Sequence, residues 1–579
     1  MRHLWFALPV LALACSGDDE PSATTNGGPS TEDTGEGPTT PVLPTLTDTS
    51  PVDTGAPPID LDRYDPEHLT VVEVSLLEDD WDALTQQTRR YIDILLGPDC
   101  FSGPPADIFT WFPGDVVVDG ESVAEVGLRK KGFIGSMSST RPSLKVDSDR
   151  FVPDQEFIDD TEHFTFNNNN QDVSRIHSCL AYTYFAAAGV PAPRCGLATM
   201  RVNDSDLGVY TNVEPIKNAF LRRMFGSDEG ELYEGTVTDF AEGLLVTADI
   251  KTDGADLAPL QALSDALELG DDVLMAELDP LIDLDGFVRM WVADGLISHW
   301  DGYASGRNNF YVYHDPSDSK LRFIVWGADA VFEDPNRDLL FTNGVLAARL
   351  WDHPEGQALF QAELQRQLDD VWGEDWLNAE VDRMEALIEP HLLEPAATGL
   401  GIDTVRAFVD ERHAVAQAFL DGAPPERPFV PPAPIECVDP VGEVAVTFDT
   451  EWDTLESDML AFDGTLEGET YGETFFDSYV GAGAGEDGYG TRLLVVWGAN
   501  PTFTSFDQVV LLLPEDLEPG TYPVDITGIF GLVIEADPVG ERTSLIGGSV
   551  TFDAIDDQPG GRVAGTIDGI LIPDVFGVL

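Results

Sequence analysis

The hydrophobic pattern of this chain changes character across the proline-rich stretch 424–434. Beyond it, apolar residues fall in short runs at 444–448, 492–497, 509–513, 522–526, 549–552 and 562–567, with Gly and Asp turns between them. Short runs bounded by turn residues are strand signals. They predict a separate all-β sandwich over 437–579, joined by a linker at 424–436. No catalytic constellation falls within it, so a surface or binding module is expected there. Ahead of the prolines the pattern is mixed. Strands are expected at 71–76, 116–118, 125–128 and 143–146, the last three as a small antiparallel sheet, with a helix at 79–91. A helix at 176–188 is stopped by Val190-Pro191-Ala192-Pro193, and a hairpin at 197–202 and 208–213 turns at Asn203-Asp204-Ser205-Asp206. Later, Phe360, Leu364, Leu368 and Val371, then Leu377, Val381, Met384 and Ile388, recur at helical spacing. Strands first and helices later predict an α+β body over 60–423, with a sheet-rich N-lobe and a helical C-lobe.

The N-terminus reads as an export signal over 1–14, in which Arg2 and His3 precede an apolar run too short to span a bilayer. Leu11-Ala12-Leu13-Ala14-Cys15 resembles a lipobox, with Cys15 the lipidated residue. From 15 to 59 the composition is Thr, Pro, Asp, Gly and Ser, which cannot bury enough surface to offset ordering entropy. A disordered stalk is expected. The predicted location is therefore extracytoplasmic, lipid-anchored to an outer membrane or cell surface, with an unlipidated secreted protein as the alternative. An exported chain can carry disulfides, and Cys179 with Cys195 is the expected pair among Cys100, Cys179, Cys195 and Cys437. The 579 residues carry a formal charge of −74. Such a surface repels phosphate backbones and excludes nucleic acid as a partner.

Chemistry concentrates between His299 and Asp329. His299-Trp300-Asp301-Gly302-Tyr303 is followed by Asn308-Asn309-Phe310-Tyr311 and then by Trp326-Gly327-Ala328-Asp329. Phosphoryl transfer uses an Asp to orient the acceptor hydroxyl, an Asn and a second Asp to hold the metal, and a Lys for phosphate charge. Asp301, Asn309 and Asp329 supply the first three types in that order. Lys131, beside Gly132, Gly135 and Ser136, and Lys145, alternating with apolar neighbours, are the lysine candidates. Glu214, after a strand, is a candidate to orient such a lysine. Arg175 either binds phosphate or pairs with Asp172. The run Asn167-Asn168-Asn169-Asn170 is expected to cap turns. Lys130, Lys131, Arg141 and Lys145 together suggest a basic pocket in an acidic surface. No zinc-hydrolase or nucleophile-elbow motif is present.

In this order of pieces the chain resembles the CotH family, atypical kinases named for spore coat protein H. The resemblance rests on Val126-Gly127-Leu128-Arg129-Lys130-Lys131-Gly132, the stretch from Asn167 to Arg175, Gly189-Val190-Pro191-Ala192-Pro193-Arg194, Val202-Asn203 with Leu207-Gly208-Val209-Tyr210 leading to Glu214, Leu232-Tyr233-Glu234-Gly235, and the segment from Asp301 to Asp329. It covers most of 60–420. It implies a minimal kinase-like fold that binds ATP with Mg²⁺ or Mn²⁺, Asp301 as catalytic Asp and Asp329 as metal ligand. The departure is Gly327, where many members carry a first Asp in Trp-Asp-x-Asp. If the second Asp is the essential ligand, Asp329 suffices; if the first, the chain is a pseudokinase.

The expected function is γ-phosphoryl transfer from ATP to hydroxyl side chains of surface or secreted proteins. The alternatives are a catalytically inactive kinase-like scaffold and an adhesion or binding lipoprotein.

Overall fold

The computed structural model describes residues 62–89, 100–157, 161–432, 437 and 439–452, and within the last segment 461–466, 469–472, 475–484, 490–499, 506–513, 517–524, 529–535 and 542–573. Cys15, the signal segment and the stalk lie outside the described residues.

The N-lobe is built from β1 (Leu69–Ser75), α1 (Glu78–Gln86), β2 (Phe112–Val118), β3 (Glu121–Lys131), β4 (Ser143–Asp147), β5 (His163–Asn167), α2 (His177–Ala188), β6 (Cys195–Val202) and β7 (Ser205–Val213). The three strands expected as a small antiparallel sheet, β2, β3 and β4, do pair antiparallel in that order, but as part of a set of seven strands. They close into a barrel, in the order β1-β2-β3-β4-β5-β7-β6, because β1 pairs antiparallel with β2 on one side and parallel with β6 on the other. The period-two rule explains the core: Val72, Val74, Val116, Val118, Val126, Leu128, Leu144, Val146, Phe164, Phe166, Ala198, Met200 and Tyr210 form one buried cluster. Helix α2 ends at Gly189, whose φ of 81° accepts the left-handed cap that a side chain resists. The disulfide expected between Cys179 and Cys195 is present and joins α2 to the start of β6.

The C-lobe follows, with α3 (Asn218–Phe225), β8 (Glu231–Gly235), β9 (Asp249–Ile250), α4 (Ala258–Leu267), α5 (Asp271–Leu278), α6 (Leu284–Ile297), α7 (Tyr303–Gly306), β10 (Phe310–Asp315), β11 (Lys320–Val325), α8 (Val345–Asp352), α9 (Pro354–Asp370), α10 (Glu374–Ile388) and α11 (Pro395–Asp421). The four strands make one sheet, ordered β11-β10-β8-β9. Aromatic rings bind sheet to helices: Phe287 meets Phe323 edge-on at 4.9 Å, Tyr303 meets Phe310 at 4.9 Å, and Trp291 meets Phe360 at 4.5 Å. Arg412, wholly buried on α11, donates to the carbonyls of Gly295, Leu296, Pro335 and Arg337 and so ties α11 to the end of α6. The stretch read as a linker begins as a strap on this lobe. Trp351 Nε1 donates to Pro425 O at 3.0 Å, and the Arg349 guanidinium stacks 5.2 Å from the Phe429 ring.

The α+β class and the sheet-rich and helical lobes agree with the sequence reading, and the last segment is all-β as expected. There, ten strands form one sheet, nine of them in a single hydrogen-bonded path and the tenth, Gly520–Pro523, paired with Arg542–Ile555 off that path. Its first strand, Gly442–Glu451, pairs along its length with its last, Arg562–Pro573. Val444, Val446, Phe448, Val509, Leu511, Val550, Phe552, Val563 and Ile567 share its core. The sequence reading missed the strands Ala461–Leu466, Glu469–Gly472, Phe475–Ala484 and Phe530–Glu535. A second disulfide links Cys437 to Cys100.

Candidate active site

The turn between α6 and α7 carries Asp301, which is 2 % exposed. Both of its carboxylate oxygens receive side-chain amides: Asn308 Nδ2 at 3.3 Å and Asn309 Nδ2 at 2.8 Å. Arg307 and Asn309 both adopt left-handed backbone, with φ of 54° and 52°, which folds this turn back over Asp301 before β10 begins. Asn309 O then accepts from Trp326 N at 3.1 Å, bringing the end of β11 alongside.

Gly327 follows with φ of 55°, and a Cβ there would sit 2.3 Å from Asn309 Oδ1. The backbone passes so close that Asn309 occupies the room a side chain at 327 needs. A tight turn, with Asp329 N donating to Gly327 O at 3.1 Å, then delivers Asp329. Its Oδ1 is buried and, like Asn309 Oδ1, has no hydrogen-bond partner among the described residues. Burial pushes the Asp329 carboxyl up to about 6, and the positive charge of Lys131 opposes that shift.

Lys131, at the end of β3, donates to Asn167 Oδ1 at 2.5 Å and lies 5.9 Å from the Trp326 ring. Lysine 131 is thus the basic side chain that faces the Asp329 carboxylate. The strand explains why its neighbour does not. Alternation turns Lys130 the other way, toward the barrel interior, where it donates to Thr85 O at 2.6 Å and burial lowers its pKa to about 8.

Several other candidates have different duties. Lys145 lines an open cleft with Asp147, His163, Tyr311 and Trp326. Glu214 is not beside either lysine, because its carboxylate is taken by Arg223 and, at 3.1 Å, by Arg194. Arg141 donates to the Leu207 and Val209 carbonyls, leaving no basic pocket of four residues. The Arg175 side chain donates to Asn169 O and faces Glu394 at 3.8 Å rather than pairing with Asp172. Ser136 Oγ folds inward, bonding the Phe133 backbone, and Gly132, with φ of 132°, leaves the space that this turn needs. Asn168 and Asn170 do cap that loop, donating to the carbonyls of Ser136, Arg141 and Gly135.

The sequence reading missed the role of Asn167, which it grouped with the turn-capping asparagines although it ends a strand and faces Lys131. It also missed a buried ion pair in which Lys251 reaches Glu234 at 2.8 Å and Asp249 at 2.6 Å. Asp294 was missed as well, and it bonds His299 Nδ1 at 2.9 Å beneath the Asp301 turn. Among the described residues no three His, Cys, Asp or Glu side chains converge as a metal-ligand set. Hard cations accept other oxygens, however, and the unpartnered Asp329 Oδ1 and Asn309 Oδ1 are donors of that kind.

Residues 128–412 match the family model CotH, the CotH kinase protein. Among curated proteins, Invasin CotH7 of Rhizopus delemar is 21 % identical over 267 residues, covering 42 % of this chain and 45 % of that one. Invasin CotH2 of the same organism is 23 % identical over 236 residues, covering 35 % and 40 %. The chain therefore spans less than half the length of the curated relatives it matches. A solved structure, the Helicobacter pylori proinflammatory kinase CtkA, aligns over 48 % of this chain and 94 % of its own, with 11 % identity and a TM-score of 0.27. The region that carries Asp301, Asn309, Asp329 and Lys131 belongs to the CotH kinase protein family.

Proposed function

We propose that the body is an extracytoplasmic phosphotransferase that moves the γ-phosphoryl group of ATP onto hydroxyl side chains of surface or secreted proteins. The observation that carries this reading is the buried meeting of Asp301, Asn309, Asp329 and Lys131, with Asp329 Oδ1 and Asn309 Oδ1 left without partners. Buried polar atoms in native proteins are nearly always satisfied, so a pair of orphaned oxygens beside a buried lysine is a place where a ligand completes the bonding.

Asp301, held by two asparagine amides, orients the acceptor hydroxyl and takes its proton as the bond to phosphorus forms. Lys131 neutralises phosphate charge, held by Asn167 and Trp326 at a fixed height above the Asp329 turn. Asp329 and Asn309 are the residues that would hold Mg²⁺ or Mn²⁺. A bound divalent ion supplies charge stabilisation to the transferring phosphoryl group. Burial of all four keeps water from competing with the acceptor. The export signal and Cys15 lipidation expected from the sequence support an extracytoplasmic location for this chemistry, as do relatives named as invasins and a spore coat protein homolog.

One observation favours the inactive-scaffold reading: Gly327 removes a carboxylate, leaving Asp329 as the acidic ligand of this turn. The deciding experiment is a thermal-shift titration with ATP, with and without Mg²⁺, on the wild type and Asp329→Ala. A ligand at 100 times its Kd stabilises by about 2.7 kcal/mol, enough to see. A Mg²⁺-dependent shift lost in the variant supports phosphotransfer. A folded wild type that shows no shift supports the scaffold.

A further inference from the structure

One short helix, α7, follows the Asp301 turn, and whatever fixes α7 fixes Asp301 beside it. The contact is direct, since a Cβ at Gly306 would lie 3.0 Å from both Cα and Oδ1 of Asp301. A helix of four residues has too few bonds of its own to hold a position. Its grip comes from other parts of the chain. Tyr303 Oη donates to Asp239 Oδ1 at 2.9 Å and accepts from Leu346 N at 3.0 Å. At the other end of α7, Thr238 N donates to Arg307 O at 2.8 Å. Thr238 and Asp239 therefore hold the first residue of this helix and the residue that caps it.

Asp239 is wholly buried, and the chemistry described above does not use it. Val345 N, at the start of α8, donates to its two oxygens at 3.1 and 3.0 Å, and Phe240 N donates at 2.8 Å. Burial still pushes its carboxyl up to about 6, against those donors and the positive charge of Arg307. The backbone leading to it is strained, because Val237 takes a φ of 51°, a left-handed conformation that a β-branched residue resists. Threonine hydroxyls hold this turn. Thr238 Oγ1 accepts from Thr236 N at 3.1 Å and meets Thr247 Oγ1 at 2.8 Å, and Thr247 Oγ1 donates to Val237 O at 3.1 Å. Strain that the surroundings over-determine gathers where geometry serves function.

We infer that Asp239 is a positioning residue, which sets Asp301 for phosphoryl transfer through Tyr303 and α7 without itself touching either substrate. The inference rests on the phosphotransfer reading. It adds that the carboxylate orienting the acceptor is held by a second carboxylate from the segment after β8. A carboxylate bonded to Val345 N could instead serve α8 alone, as a cap. Tyr303→Phe separates the two duties, since it removes the link to α7 and leaves the bonds from Val345 N in place.

The test uses the full chain as wild type, Asp239→Asn and Tyr303→Phe, with thermal melts to establish which variants fold. Two quantities are read: hydrogen–deuterium exchange across residues 299–310, and kcat and KM for Mg²⁺-dependent loss of the γ-phosphoryl group from ATP, with casein as a general serine acceptor. In both variants exchange over that segment should quicken by about tenfold or more, and kcat should fall by about tenfold to a hundredfold. KM for ATP, which Lys131 and Asp329 set, should stay within about threefold of wild type. Unchanged exchange over 299–310 in Tyr303→Phe overturns the inference and is what a cap for α8 alone predicts. Faster exchange with an unchanged kcat overturns it as well, and so does a loss carried wholly by KM. Should Asp239→Asn fail to fold, Tyr303→Phe decides alone. A wild type that leaves ATP intact overturns the phosphotransfer reading, and quickened exchange in the variants then still establishes the hold of Asp239 on the Asp301 turn.

Discussion

The carboxamide of Asn309 sits where a side chain at Gly327 would have to go, with only 2.3 Å between an added Cβ and Asn309 Oδ1. In the same side chain, Nδ2 holds Asp301 at 2.8 Å. Any substitution at 327 therefore acts on Asp301 through Asn309. It also forces a left-handed φ on a residue with a Cβ, at a cost of about 1 kcal/mol. Gly327→Ala should lower stability by roughly 1–3 kcal/mol in urea titrations and abolish Mg²⁺-dependent nucleotide binding. A variant with wild-type melting and binding would show that the Asn309 contact is incidental.

Lys130 offers an opposite case, in which removing a charge should stabilise. Its pKa is lowered to about 8 by burial, so the folded state holds its proton less firmly than the unfolded chain. Between about pH 8 and pH 10 the unfolded state binds more protons, and stability should rise with pH through that window. Lys130→Met should remove this slope and raise stability at pH 7 by on the order of 1–3 kcal/mol, allowing for the lost bond to Thr85 O. Denaturant titrations at pH 7, 8, 9 and 10 measure both effects.

Arg412 should be the most damaging position on α11. Its guanidinium serves four backbone carbonyls, those of Gly295, Leu296, Pro335 and Arg337, the first two at buried positions. Arg412→Met should cost about 3–5 kcal/mol, and Arg412→Lys should recover only part because it cannot span the same fork. A methionine variant within 1 kcal/mol of wild type by chemical denaturation would count against that role.

The Cys179–Cys195 bridge closes a segment with a sequence separation of 16. Loop-closure entropy assigns such a link about 3 kcal/mol. A double Cys179→Ala, Cys195→Ala variant should therefore melt several degrees lower, and a reductant should shift the wild type by more than the variant, which keeps only the Cys100–Cys437 bridge among those described.

Much of the site was legible because its residues are close in sequence. Asp301, Asn308, Asn309 and Asp329 lie on two turns bracketing one hairpin, and order alone suggested that they meet. The choice between lysines was less accessible. Arg129, Lys130 and Lys131 are consecutive, yet the strand turns Lys130 inward and Lys131 toward Trp326, a matter of register that composition does not display. Glu214 was misread for the same reason. Its arginine partners, Arg194 and Arg223, flank it from a loop and a helix, and in a chain with 105 acidic residues a single carboxylate carries little signal. In the fold, β5 is a five-residue strand that runs straight into the asparagine stretch at Asn167, and without it the N-lobe strands could not be seen to close.

That closure orders events during synthesis. β1 is the first of the barrel strands to leave the ribosome, but its parallel neighbour β6 ends at Val202, so Leu69 and the residues after it keep one bare edge until more than a hundred further residues have emerged. An exposed strand edge invites pairing with other chains. The N-lobe is thus assembled late and all at once, and a nascent chain stalled before β6 is the form of this protein most prone to aggregate.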